Sequence, residues 1–396
     1  MQKNVRVKLY DIVIFLLYFS VVKVYAVPQV IQQILKIISM GIVASYFLSH
    51  STKSFFNKTI ILPCLMLISS VVYFIGGSSN IKILLDGILN ASCYCLISVC
   101  VCYTMKKNMQ DHLVEMYYYL TLICCGISII SVFVKAKSAN NYGAEVIYVF
   151  GNKYATCYLF IFLIGLAYYK FYDFKKKKLK KSILILCFII LALLISYLTR
   201  CYTTLVAFGV MLILFFFSGR TIKKIRKFIN NPIVAVLLVA VPGMVAMNIT
   251  AVMQNPFVYK IVTEWFGKTA GLTGRAYIYS NLYNIYARHP FIGYGYNSDI
   301  VNIVTEVGNA QNGIMQSLID YGAIGTIALL AIVYLAFKNS NKKDRYWGFK
   351  ISFLTFCVCS IVEIPFKYLF FFVVSFLFFS NRDEALINIG ENLNEQ

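Results

Sequence analysis

Arg200 closes the segment SYLTR, in a turn of one or two residues between two apolar runs. An arginine at such a boundary either snorkels its head to water or holds a phosphate through its planar, bidentate fork. A second arginine stands in GLTGRAYIYSNLYNIYARHPFIGYGYN. From Arg275 to Ala287 the spacing is helical, with Ala276, Tyr279, Leu282, Tyr283 and Tyr286 on one stripe. Thr273 and Gly274 precede it as cap and turn residues. Arg275 then falls in the first turn, where free backbone N–H groups also favour a phosphate. Arg288 and His289 come just before a break at Pro290, Gly293 and Gly295. The same stretch reads equally as an amphipathic helix lying flat on a membrane, its tyrosines at headgroup level. Further on, GNAQNGIMQSLIDYGAIG brings Gln311 and Asn312 to the start of an apolar run, with Asp320 inside it. An acid at that depth is costly and marks a functional site by default.

The elements that must position these residues are membrane helices. The chain has 396 residues, 60% hydrophobic and only 13% charged, about half the charge of a soluble domain. Apolar runs of about 20 residues, the length of a bilayer core, recur from end to end. They lack the alternation of barrel strands, so the expected class is an all-α polytopic membrane protein. Twelve spans are expected, at 9–26, 30–49, 59–76, 82–104, 113–134, 154–172, 182–199, 201–218, 232–253, 312–337, 347–363 and 365–380. The organisation is then nine helices in 1–253, a long extracytoplasmic loop at 254–311 holding the amphipathic helix, three helices in 312–380, and a tail at 381–396.

The net charge of +21 raises nucleic acid as a partner, but the basic residues are placed as topology anchors. With the N-terminus inside, 25 of the 37 lysines and arginines fall on the cytoplasmic side, as the positive-inside rule requires. The run KKKKLKK is one such anchor. Both termini are then cytoplasmic, and the first apolar run is a retained helix rather than a cleaved signal. Cysteines inside the apolar runs read as packing residues. No Asp-x-Asp pair, no metal-spaced cluster and no P-loop occurs, so neither a metal nor a cofactor is expected. Glu363 and Lys367, spaced i, i+4 around Pro365, read as a structural ion pair.

Four pieces together resemble the O-antigen ligase and Wzy-type polymerase family of bacterial surface polysaccharides. FGNKYA, residues 150–155, is similar to the family's Phe-x-Asn-x-Asn/Tyr-x-Ala entry to a span, which brings in Asn152 and Lys153. SYLTR is similar to its Ser-x-Ser-Arg start of a span. TGRAYIY with HPFIGYG is similar to its Gly-Arg and Pro-x-x-Gly-x-Gly loop, with Tyr279 at a tryptophan position. AQNGIMQSLIDYGAIG is similar to its His-Asn motif, with Gln311 in place of histidine. All four fall on the outer side in the orientation assigned from charge.

The resemblance implies a metal-independent glycosyltransferase of the bacterial cytoplasmic (inner) membrane. Its donor would be an oligosaccharide repeat unit on undecaprenyl pyrophosphate. Arg200 and Arg275 would bind the pyrophosphate with Arg288 assisting. Asn152, Lys153, Tyr279, Asn312 and Asp320 would line the substrate. Gln311 cannot take a proton, so the acceptor hydroxyl is oriented by hydrogen bonding or deprotonated by Glu264, Glu306, His289 or Asp320. A polymerase of O-antigen or capsule is the expected activity; a ligase and a flippase of the same lipid-linked sugars are the alternatives. Membrane lipids, a flippase and a chain-length regulator are the expected partners, with no nucleic acid.

Overall fold

Long runs of leucine, isoleucine, valine and phenylalanine leave the backbone few ways to pair its polar groups away from water, and the chain accordingly folds almost entirely into helices. The computed structural model describes residues 2–78, 81–134, 146–171, 178–216, 223–248, 251, 253–265, 275–340 and 344–380. The cap residues Thr273 and Gly274, the first lysines of KKKKLKK and the tail at 381–396 lie outside these.

The helices in chain order are α1 (Gln2–Val21), α2 (Gln29–His50), α3 (Ile61–Tyr73), α4 (Ile81–Lys106), α5 (Gln110–Phe133), α6 (Lys153–Lys170), α7 (Lys178–Leu198), α8 (Tyr202–Phe216), α9 (Lys223–Ile229), α10 (Pro232–Met247), α11 (Pro256–Lys260), α12 (Arg275–Arg288), α13 (Ile300–Thr305), α14 (Gly313–Ser340), α15 (Trp347–Cys359) and α16 (Tyr368–Phe379). A two-residue hairpin, β1 (Ile147–Tyr148) and β2 (Gly151–Asn152), precedes α6.

Five helical segments are long and apolar enough to cross a bilayer: Gln29–His50, Lys58–Gly76, Ile81–Lys106, Gln110–Phe133 and Gly313–Ser340. Shorter apolar helices accompany them at Leu9–Val21, Ser182–Leu198, Tyr202–Phe216, Pro232–Gly243 and Tyr368–Phe379. The protein is therefore a multi-helix membrane protein. The outward side of α2 carries exposed Ile34, Leu35, Ile37 and Ile38, a face that lipid solvates and water does not.

At the centre, α15 packs on α6, α8 and α16, while α14 packs on α3, α10 and α16. Phenylalanines stack through this core, with Phe353 over Phe370 at 5.5 Å between centroids and Phe349 against Phe376 at 5.0 Å.

The segment that holds α12 and α13 is docked on the bundle. In α12, Ile278, Tyr279, Leu282 and Ile285 are buried and the helix packs on α13, α14 and α10. This corrects the expected stripe: Tyr283 is exposed. The residues that go inward fall at i, i+1, i+4 and i+7, the true helical face, and they meet protein.

The loop beyond α12 explains two of the motifs. Helix α14 breaks at Gly322, whose backbone is at φ 64° and ψ −171°. The chain from Pro290 to Gly295 fills the break. Ala323 N donates to Pro290 O at 2.7 Å and Ile324 N to Phe291 O at 3.1 Å. In return Tyr294 N donates to Ile319 O at 2.8 Å and Gly295 N to Asp320 O at 2.9 Å. Gly293 has φ +79°, and a Cβ there would stand 2.6 Å from Gly322 N. Only glycine permits the two backbones to approach this closely. The Pro-x-x-Gly-x-Gly and Gly-x-x-Gly patterns thus form a backbone clasp between the loop and α14.

Candidate functional site

The hairpin and Asn152 set up the first wall. The Asn152 side chain caps α6 by accepting from Ala155 N at 3.1 Å. That fixes the start of α6 and directs Tyr154 beside both Arg275 and Glu363. Lys153 lies over the Tyr154 ring at 5.3 Å.

Arg275 opens α12 and pairs with Glu363 at 3.0 Å, both side chains only 15% exposed. Burial alone pushes the guanidinium down; the Glu363 carboxylate together with Tyr154 and Tyr279 more than offsets this, and the net shift is upward. The expected Glu363–Lys367 pair does not form among the described residues. Residues 360–367 are a non-helical connection, so the i, i+4 spacing does not bring the two side chains together. One turn along α12, the buried Tyr279 hydroxyl donates to Gln311 O at 2.9 Å; burial raises its pKa.

Asn312 is a junction. Its amide donates to Pro242 O at 2.8 Å and Ile361 O at 2.9 Å, and its oxygen accepts from Met315 N at 3.1 Å. It joins α10, the end of α15 and the start of α14, and Gly313 N adds a bond to Ser360 O at 3.0 Å. Asp320 is buried in α14; its carboxylate accepts from Gln316 at 2.8 Å.

Arg200 stands exposed in the α7–α8 turn with φ 52°. The buried Cys201 next to it lies close to Cys157 and Tyr154, which brings this turn to the same wall. Arg200 and Gln311, at φ 47°, both hold a left-handed conformation that favours glycine or asparagine. A polar side chain on so costly a backbone conformation is a reason to look for its use.

The structure thus brings together Asn152, Lys153, Arg275, Tyr279, Gln311 and Asn312, with the Arg200 turn alongside. It does not bring Arg288 and His289 to them. Both sit at the far end of α12, about 20 Å along its axis from Arg275. His289 packs edge-on against Tyr294 at 4.5 Å and Tyr73 at 5.9 Å. Glu264 is exposed beside Lys260 at 3.8 Å, and Glu306 is exposed at the end of α13. Tyr154 and Glu363 are the site residues that the sequence did not single out for this role. Glu363 was read as the partner of Lys367, but the residue it pairs with, Arg275, lies 88 positions away.

Residues 185–330 match the family model described as O-antigen ligase. The matched segment runs from α7 into α14 and contains Arg200, Arg275, Gln311, Asn312 and Asp320, so the resemblance read from the motifs holds across it. Tyr154 and Glu363 lie outside it and pack against it. No curated protein and no solved structure gives a significant match to the chain. By fold and matched segment, this is a multi-helix membrane protein whose central part is similar to the O-antigen ligase family.

Proposed function

We propose that the chain is a metal-independent polymerase of lipid-linked oligosaccharide repeat units in the bacterial cytoplasmic membrane. In this reading it crosses the membrane twelve times with both termini inside, and the arginine site faces outward. The observation that carries the proposal is the convergence of three motif segments on Arg275, within a chain whose central segment matches the O-antigen ligase family.

The donor glycan is attached to undecaprenyl pyrophosphate. An acceptor sugar hydroxyl attacks the anomeric carbon, forming the new C–O bond as the bond to the pyrophosphate oxygen breaks. The pyrophosphate leaves with the electron pair. Charge grows on it in the transition state, so donors already fixed there lower the barrier. Arg275 is held in place by Glu363, and Arg200 reaches from the neighbouring turn. Gln311 positions the acceptor by hydrogen bonding. Asp320, on a cavity wall that also includes Ile364, takes the hydroxyl proton. Holding two membrane-bound substrates together contributes through proximity.

Ligation is the second reading, favoured by the name of the matched family. It differs only in the acceptor. Deleting the gene and complementing with wild type or Arg275→Ala, with the surface polysaccharide run on a gel, separates the outcomes. A ladder collapsed to single repeats and unrescued by Arg275→Ala is expected. A normal ladder left undelivered indicates a ligase, and an unchanged polysaccharide overturns the proposal.

A further inference from the structure

Three adjoining cavities, of about 160, 160 and 130 Å³, all open on Tyr296. Lys23 and Lys367 line the first, Lys23, Lys36, Lys82 and Asp86 the second, and Lys367 with Asp320 the third. Four lysines therefore face two carboxylates. Both acids already accept hydrogen bonds from amides, Asp86 from Asn297 and Asp320 from Gln316, each at 2.8 Å. Lys36 donates to the Tyr368 hydroxyl at 3.2 Å. The ammonium groups of Lys23 and Lys367 have no hydrogen-bond or ion-pair partner among the described residues. Converging cations of this kind are unfavourable until an anion lies among them.

The chemistry differs from that of the arginine site. A diphosphate is a single focus of charge that suits a bidentate fork, whereas these lysines are point charges spread over three connected cavities. Tyrosine rings stand between them, Tyr25, Tyr296 and Tyr368, offering apolar faces beside the charges. An occupant with several separate anionic groups on compact, partly apolar rings matches this pattern. Pro365 and Ile364 complete the walls, immediately beyond Glu363, so the occupant would be contiguous with the arginine site.

We infer that this lysine–tyrosine vestibule binds an acidic saccharide, the carboxylate-bearing part of the glycan processed at Arg275. The inference rests on the proposed function and narrows its substrate to repeat units that contain acidic sugars.

The test is calorimetric binding to the full chain in lipid nanodiscs, with trigalacturonate and its carboxyl-reduced neutral counterpart as probes. No lipid-linked donor is needed, so the result stands apart from whether glycosyl transfer occurs. Trigalacturonate is expected to bind at least about tenfold more tightly than the neutral trimer, and more weakly as salt rises. The paired substitution Lys23→Gln with Lys367→Gln should weaken it at least about tenfold, while Lys23→Arg with Lys367→Arg keeps binding and reports a folded protein. Equal affinity for the two trimers would overturn the inference. So would an unchanged affinity in the glutamine pair, or displacement of trigalacturonate by equimolar inorganic pyrophosphate, which would assign the vestibule to a diphosphate.

Discussion

Replacing Gly322 by alanine tests the clasp between the loop beyond α12 and α14. At φ 64° and ψ −171° the backbone occupies a region closed to residues with side chains, at a cost of about 1–3 kcal/mol. A Cβ at this position would also stand 2.3 Å from the carbonyl carbon and oxygen of Phe291 and 2.4 Å from Ile292 N. These are backbone atoms and cannot swing away. The loop must lift, releasing the bonds from Ala323 N to Pro290 O and from Ile324 N to Phe291 O. Each is worth about 0.5–1.5 kcal/mol net. The total is about 2–6 kcal/mol, a large part of the stability of an ordinary domain. Thermal unfolding is read with a thiol-reactive fluorophore, since Cys100, Cys102, Cys357 and Cys359 are buried and react on unfolding. Gly41→Ala in α2 is the control. A Cβ there meets nothing within 4 Å, so the change is neutral or stabilising by up to about 1 kcal/mol. A Gly322→Ala protein that unfolds with wild type would refute the clasp.

Other expectations follow from the site. Arg200→Gly relieves a left-handed backbone worth about 1 kcal/mol, so the variant should unfold no earlier than wild type yet give no polymer in complemented cells; full-length polymer would remove Arg200 from the site. Arg275→Lys keeps a charge for Glu363 but loses the planar fork, and should fold normally while the glycan ladder collapses. Glu363→Gln frees the guanidinium from its ion pair; a loss of turnover with the donor still bound is expected, and unchanged kinetics would show that the pair does not position Arg275.

The helical class was legible because apolar runs of bilayer length dictate it. A helix lies in roughly the place of each expected span and of the loop helix from Arg275, but only five helical segments are long and apolar enough to cross a bilayer. The buried face of the loop helix was read less well. Tyrosines are amphipathic, and placing Tyr283 on the stripe of Tyr279 and Leu282 traded one side of the helix for another. The motif glycines were visible as breaks, but their purpose was not. A clasp between Gly293 and Gly322 is a contact between two backbones, which leaves no mark on side-chain pattern. At the site, Arg275 was readable from the helix start and Asn152 from its resemblance to the family motif. Glu363 was misassigned because i, i+4 logic presumes a helix, and its segment is a turn. Lys23, Lys36 and Lys82 were given no role and Lys367 was paired with Glu363, since the convergence of the four is produced by separate stretches of chain.

The most direct test uses purified protein in liposomes with lipid-linked repeat units and no other enzyme. Glycan products are sized while released polyprenyl pyrophosphate is measured. Glycans longer than one repeat, formed in step with pyrophosphate release and absent with Arg275→Lys, are the predicted result. Repeat units that cross to the opposite leaflet without growing, or longer glycan formed equally by Arg275→Lys, would contradict glycosyl transfer at the arginine site.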